Sequence, residues 1–125
     1  MFDSNDIIYS YSREQAIEDG VLIDITDLAQ ECGFKWSVAV TSGLYEKYIK
    51  CSDEIKSLGQ SETGRIWDIL TILRYEVKKQ EGQEIQFSVY FLMQNHKKEL
   101  AELKAVAGPG DNGEGVLTIM LPNED

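Results

Sequence analysis

The chain has 125 residues, of which 42% are hydrophobic and 27% charged, the balance of a folded globular protein rather than a disordered one. One domain spanning 1–125 can bury a core without disulfide staples, and no apolar run approaches the ~18–20 residues that cross a bilayer. Twelve basic against 22 acidic residues give a net charge of −10, which argues against phosphate-driven nucleic-acid binding and against docking on an anionic membrane.

Ser12-Arg13-Glu14-Gln15 carries a capping box, with Glu14 placed for the helix dipole and Gly20 for a left-handed stop, so a short helix is predicted near 13–19. Val21–Ile25 is β-rich and brief, a strand. Thr26 is expected to cap a second short helix over 27–32, ended by Gly33. Residues 35–41 alternate, with Trp36, Val38 and Val40 on one side of a strand. Thr41 or Ser42 can open a helix through Leu44, Tyr45, Tyr48 and Ile49, and Cys51-Ser52-Asp53 breaks it. Ser61 opens the longest helix, 62–80. There Ile66, Ile69, Leu70, Leu73 and Val77 make one apolar face, Trp67 stands at its border, and Arg65, Asp68, Arg74 and Lys78 take the polar remainder.

The rest reads as β. Ile85, Phe87, Val89, Phe91 and Met93 alternate with the intervening side chains, and the segment 100–107 alternates again after the polar turn 94–98. Residues 116–121 are apolar on both sides and so are expected inside the sheet. The fold class is therefore α+β. A C-terminal three-strand meander plus one or two N-terminal strands forms an antiparallel sheet, packed on one long helix and shorter helices.

Several segments in this order resemble a known family. They are Ala16–Asp24, Val38–Thr41, Gly64-Arg65-Ile66-Trp67-Asp68, Leu103–Val106, the run Gly108-Pro109-Gly110-Asp111-Asn112-Gly113-Glu114, and the ending Ile119–Asp125. The family is one of small uncharacterised bacterial proteins, a domain of unknown function frequent on plasmids, phages and other mobile elements. The resemblance implies a cytoplasmic accessory or anti-defence protein and assigns no catalytic residue.

Chemistry-bearing constellations are sparse. Cys32 and Cys51 have no CxxC spacing and only His96 to join them, which leaves out a paired Cys/His zinc site. The loop Gly108–Gly115 lacks the phosphate-loop lysine and the EF-hand ligand spacing. Asp111, Asn112 and Glu114 can hold a weak oxygen-ligated cation there, but Asn112-Gly113 is first of all a hairpin turn pair. Trp67 and Arg65 suit a groove-binding anchor pair. Trp36, Tyr45 and Tyr48 stand beside Lys35, Lys47 and Lys50 in the least acidic stretch of the first half. The acidic excess lies at the two ends: residues 1–31 hold eight acids and one base, residues 105–125 four acids and no base.

These features favour a non-enzymatic binding protein over an enzyme. No catalytic residue, metal ligand or cofactor is assigned. The expected partner is a protein with a basic surface, reached through Asp19, Asp24, Asp27, Glu31, Asp111, Asn112 and Glu114, in one form as a nucleic-acid mimic. No direct nucleic-acid binding and no membrane contact are expected. MFDSND lacks the basic and apolar stretches of a signal peptide, which fits a cytoplasmic location. A small enzyme or ligand- or metal-binding domain built on the 108–115 loop and a structural subunit are the alternatives, and the oligomeric state is left open.

Overall fold

A computed structural model describes residues 11–124. The opening MFDSND, and the acids Asp3, Asp6 and Asp125 counted in the terminal excess, lie outside the described residues. Helix α1 is Arg13–Glu18, with the expected capping box formed between Ser12 and Gln15. Strand β1 is Leu22–Asp24 and helix α2 is Thr26–Glu31. Thr26 does not cap α2 as expected. It lies inside the helix, and its N–H and hydroxyl donate to Asp24 Oδ1 at 3.0 and 2.5 Å.

Strand β2 is Ser37–Thr41. The one-turn helix α3, Ser42–Leu44, is capped by Thr41 and runs straight into a π-helical turn, Tyr45–Ile49. Cys51-Ser52-Asp53 is more than a break: the Ser52 hydroxyl accepts from Ile55 N–H and starts helix α4, Asp53–Ser57. Helix α5 is Glu62–Val77, capped by Ser61 and shorter than its predicted end at 80. Strands β3 (Glu84–Leu92), β4 (Lys98–Pro109) and β5 (Gly115–Met120) follow, with a 3-10 turn at Gln94–His96.

The five strands form one sheet in the order β1-β2-β5-β4-β3. The meander is as expected: β3 pairs β4 antiparallel, with Tyr90 opposite Leu100, and β4 pairs β5 through the tight turn that follows Pro109 opposite Gly115. β1 and β2 are also antiparallel, with Ile23 opposite Val40. The exception is β2 beside β5, which run parallel with Val38 opposite Leu117, so the sheet is mixed. An alternating or apolar strand pattern records burial and carries no direction, hence the sequence could not announce this pairing. The β5 segment, apolar on both sides, lies inside the sheet as predicted.

One sheet face carries the core. Val38, Val40, Phe87, Leu103 and Ile119 meet Leu44, Ile49, Ile69, Leu70 and Leu73 from the helical layer. At ~1.5–3 kcal/mol for each fully buried aliphatic side chain, this cluster is the main stabilising mass. Helix α2 joins that layer through Ala29, and its C-cap Cys32 is buried there too. Buried Ala39, Val116 and Met120 point to the opposite face, where α1 packs against β1. Val77, expected in the buried stripe, is 41% exposed and borders an open cavity instead of the core. Among the described residues no helix is long and apolar enough to cross a membrane.

Candidate functional site: a groove beside the long helix

Two glycines shape a largely apolar concavity beside the long helix. Gly33 terminates α2 with φ at 103°, a conformation that favours glycine. A Cβ there would lie 2.9 Å from the guanidinium carbon of Arg74, so Arg74 of α5 rests directly on the Gly33 backbone. Across the cavity Gly115 opens β5, and a Cβ on it would come within 2.5 Å of the Trp36 ring. The indole lies flat on bare backbone as a result.

Between these two supports runs a groove of about 610 Å³. Its base is Ile85, Leu117, Ala107 and Phe34, and Val77 and Lys78 form the far wall. Lys35, Arg74 and Lys78 supply three cations, and among the described residues no carboxylate lines it. Trp36 is 46% exposed and Tyr75, on the outer face of α5, 60%. The Lys79 ammonium stands 4.2 Å from the Tyr75 ring centre. A desolvated aromatic and an arginine are the side chains that anchor protein interfaces most often, and cations around an apolar trough favour an acidic visitor.

The residues expected to act from sequence are placed elsewhere, and the fold divides them. Arg65 and Trp67 do not form a pair: two positions on an α-helix diverge by roughly 200°. Trp67 faces solvent, whereas Arg65 is 2% exposed and turned inward, not on the polar remainder of the helix. Arg65 donates to the carbonyl of Tyr48 at 2.6 Å and to that of Leu92. Tyr48 is buried and stacked on Phe91 with ring centres 5.7 Å apart, and Tyr45 donates to Glu62 at 3.0 Å. Of the aromatics flagged beside lysines, Trp36 is the exposed one, and it lines this groove.

The loop after Pro109 is a hairpin turn, with Gly113 at φ 80° and Gly110 N–H donating to the Glu114 carbonyl. Its acids hold the backbone. Both Asp111 oxygens accept α1 N–H groups, from Arg13 at 2.8 Å and Glu14 at 3.0 Å. These two bonds hold the Asp111 carboxyl below its ordinary pKa. Glu114 accepts from Asn112 N–H at 2.9 Å. Arg13 itself reaches Thr118 Oγ1 at 2.7 Å and the Leu117 carbonyl at 2.8 Å. Partial burial lowers the Arg13 pKa, opposed by the charges of Asp24, Asp111 and Glu114. Acids from both ends of the chain therefore meet around one arginine, beside a cavity of about 540 Å³.

The gathering is partial. Asp19 accepts from Tyr11 at 2.6 Å on the α1 side, while Asp27 and Glu31 ride on α2 in the opposite layer. Among the described residues no three His, Cys, Asp or Glu side chains converge as a metal site. Sequence reading missed Arg74, Lys78 and Phe34 as one wall and base. Its only signal was Lys35-Trp36 in the least acidic stretch. No curated protein and no solved structure matches the chain. A model described as "Family of unknown function (DUF6573)" matches residues 1–125, and the protein belongs to that family.

Proposed function

We propose that this protein is a non-enzymatic binding protein that seats an acidic, apolar segment of a partner protein in the groove between Trp36 and Arg74. The observation that carries the reading is the composition of that groove: an exposed indole, an apolar base, and three cations without a carboxylate in a chain of net charge −10. Random placement of the chain's charges would give the lining more acids than bases. An accessory or anti-defence role of a mobile element is a setting such a binder suits, and a cytoplasmic location accords with its free, buried cysteines.

The test is selection from a displayed library of twelve-residue peptides, with affinity read from the fluorescence anisotropy of the dye-labelled peptide. Enriched peptides are expected to join Leu, Phe or Trp to Asp and Glu. Trp36→Ala and Arg74→Glu should each weaken them at least tenfold. Enrichment of basic peptides, or undiminished binding by both variants, would overturn the reading.

A second reading has its own observation. Asp24, Asp111 and Glu114, drawn from both ends of the chain, act together on Arg13. That end of the molecule suits a partner with a basic surface. The nucleic-acid-mimic form is not carried further, because Asp27 and Glu31 lie in the other layer. An oligolysine peptide should bind with a steep salt dependence that Glu114→Gln reduces; equal binding by that variant would remove this reading.

A further inference from the structure

Among the described residues Arg65 is the one charged side chain in the core, and its environment is incomplete. A buried cation is costly unless it is paired and its N–H groups are all bonded. Here two carbonyls, of Tyr48 and Leu92, take one N–H each, and the Phe91 ring lies 5.4 Å from the guanidinium carbon. Nε has no hydrogen-bond partner, and among the described residues no carboxylate lies within ion-pair distance of Arg65. The nearby acids are engaged: Glu62 accepts from Tyr45 and from Cys51 N–H, and Glu46 pairs with Lys50 at 3.5 Å. Asp68 acts on Arg65 only through space.

Arg65 also lines a second cavity, of about 370 Å³, that opens between the π-helical turn and the end of β3. Lys47 and Lys50 project from the π-helical turn and the residue after it to the rim, where among the described residues Glu46 is the only carboxylate, so three cations and one anion leave +2. Ile55 and Met93 give it an apolar side. π-Helical turns are rare and recur at functional sites, where the extra residue re-aims side chains. This one places its Tyr48 carbonyl on Arg65.

We propose that this cavity binds a phosphoryl group, free or as a small phosphomonoester. The dianion offsets the +2 lining and meets the Arg65 side chain at the cavity wall, and an organic substituent lies against Ile55 and Met93. Guanidinium forks match phosphoryl oxygens in geometry as well as charge. This site lies apart from the Trp36 groove and stands or falls separately.

Titration with inorganic phosphate and with phenyl phosphate, followed by amide NMR against sodium chloride at equal ionic strength, tests it. Saturable shifts are expected in residues 46–55 and 93–94, with phenyl phosphate the tighter of the two. The doubly substituted Lys47→Gln, Lys50→Gln chain, altered only at exposed positions, should bind at least tenfold more weakly. Arg65→Lys, which keeps the charge and loses the fork, should also bind more weakly if it folds. Acetate binding as tightly as phosphate, shifts scattered over the whole surface, or a double variant that binds as well as the parent would each overturn the proposal.

Discussion

Gly115 is where a missing side chain does the work. Its absent Cβ is the seat of the Trp36 ring, so Gly115→Ala must displace the indole that walls the groove. In a Trp67→Phe background, Gly115→Ala is expected to red-shift Trp36 emission and weaken groove binding. Gly108→Ala, which meets nothing within 4 Å, should leave the emission where it is. Identical spectra for both variants would contradict the placement of Trp36. Arg65 is the opposite case, a charged residue whose inward direction sequence could not show. On a helical wheel it sits at the edge of the apolar stripe, and its burial depends on the Tyr48 and Leu92 carbonyls, which come from two other elements. Asp24 and Asp111 were candidates for partner contact, yet their oxygens hold the first turns of α2 and α1.

At the scale of elements, local chemistry was readable and tertiary extent was not. The capping box at Ser12, the left-handed Gly20 and Gly33, and the Ser61 start of α5 appear as the residues dictate, since each depends on contacts within four positions. The last turn of α5 differs. Leu73 and Val77 share the apolar stripe in sequence, but Leu73 is fully buried and Val77 is a groove wall. Leu73→Ala is therefore expected to cost about 2–5 kcal/mol in urea unfolding, and Val77→Ala about 0.5 kcal/mol or less. Equal losses would show that α5 packs along its whole length. The π-helical turn was invisible for a related reason. The stripe Leu44, Tyr45, Tyr48, Ile49 fits an α-helix, and the one-residue widening satisfies the bond from Lys50 N–H to the Tyr45 carbonyl.

For the whole molecule, charge couples distant segments and makes stability depend on pH. Asp111 joins the β4–β5 hairpin to α1, and Glu62 joins α5 to the segment after the π-helical turn. Backbone N–H bonds, aided at Glu62 by Tyr45, hold both carboxyls below their ordinary values of 3.8 and 4.5. A group depressed in the folded state stabilises fully above its unfolded value and loses that contribution as pH falls through the folded one. The melting temperature should therefore hold as pH falls to about 5 as far as these two groups are concerned, then decline below about pH 4. The double substitution Asp111→Asn, Glu62→Gln should flatten that acid decline; a curve parallel to the parent's would show that neither contact is coupled to folding.

Periodicity, capping residues and turn chemistry determined the elements, the α+β class, the three-strand meander and the interior position of β5, because those properties reside in neighbours along the chain. The tertiary structure alone decided that β2 and β5 run parallel. It also decided that Asp27 and Glu31 part from the other terminal acids, that Arg65 turns inward, and that Lys35, Trp36, Arg74 and Lys78 share one groove. Each of these requires segments tens of residues apart to meet. Hydrophobic burial selects which faces meet without recording direction or neighbour in any local pattern.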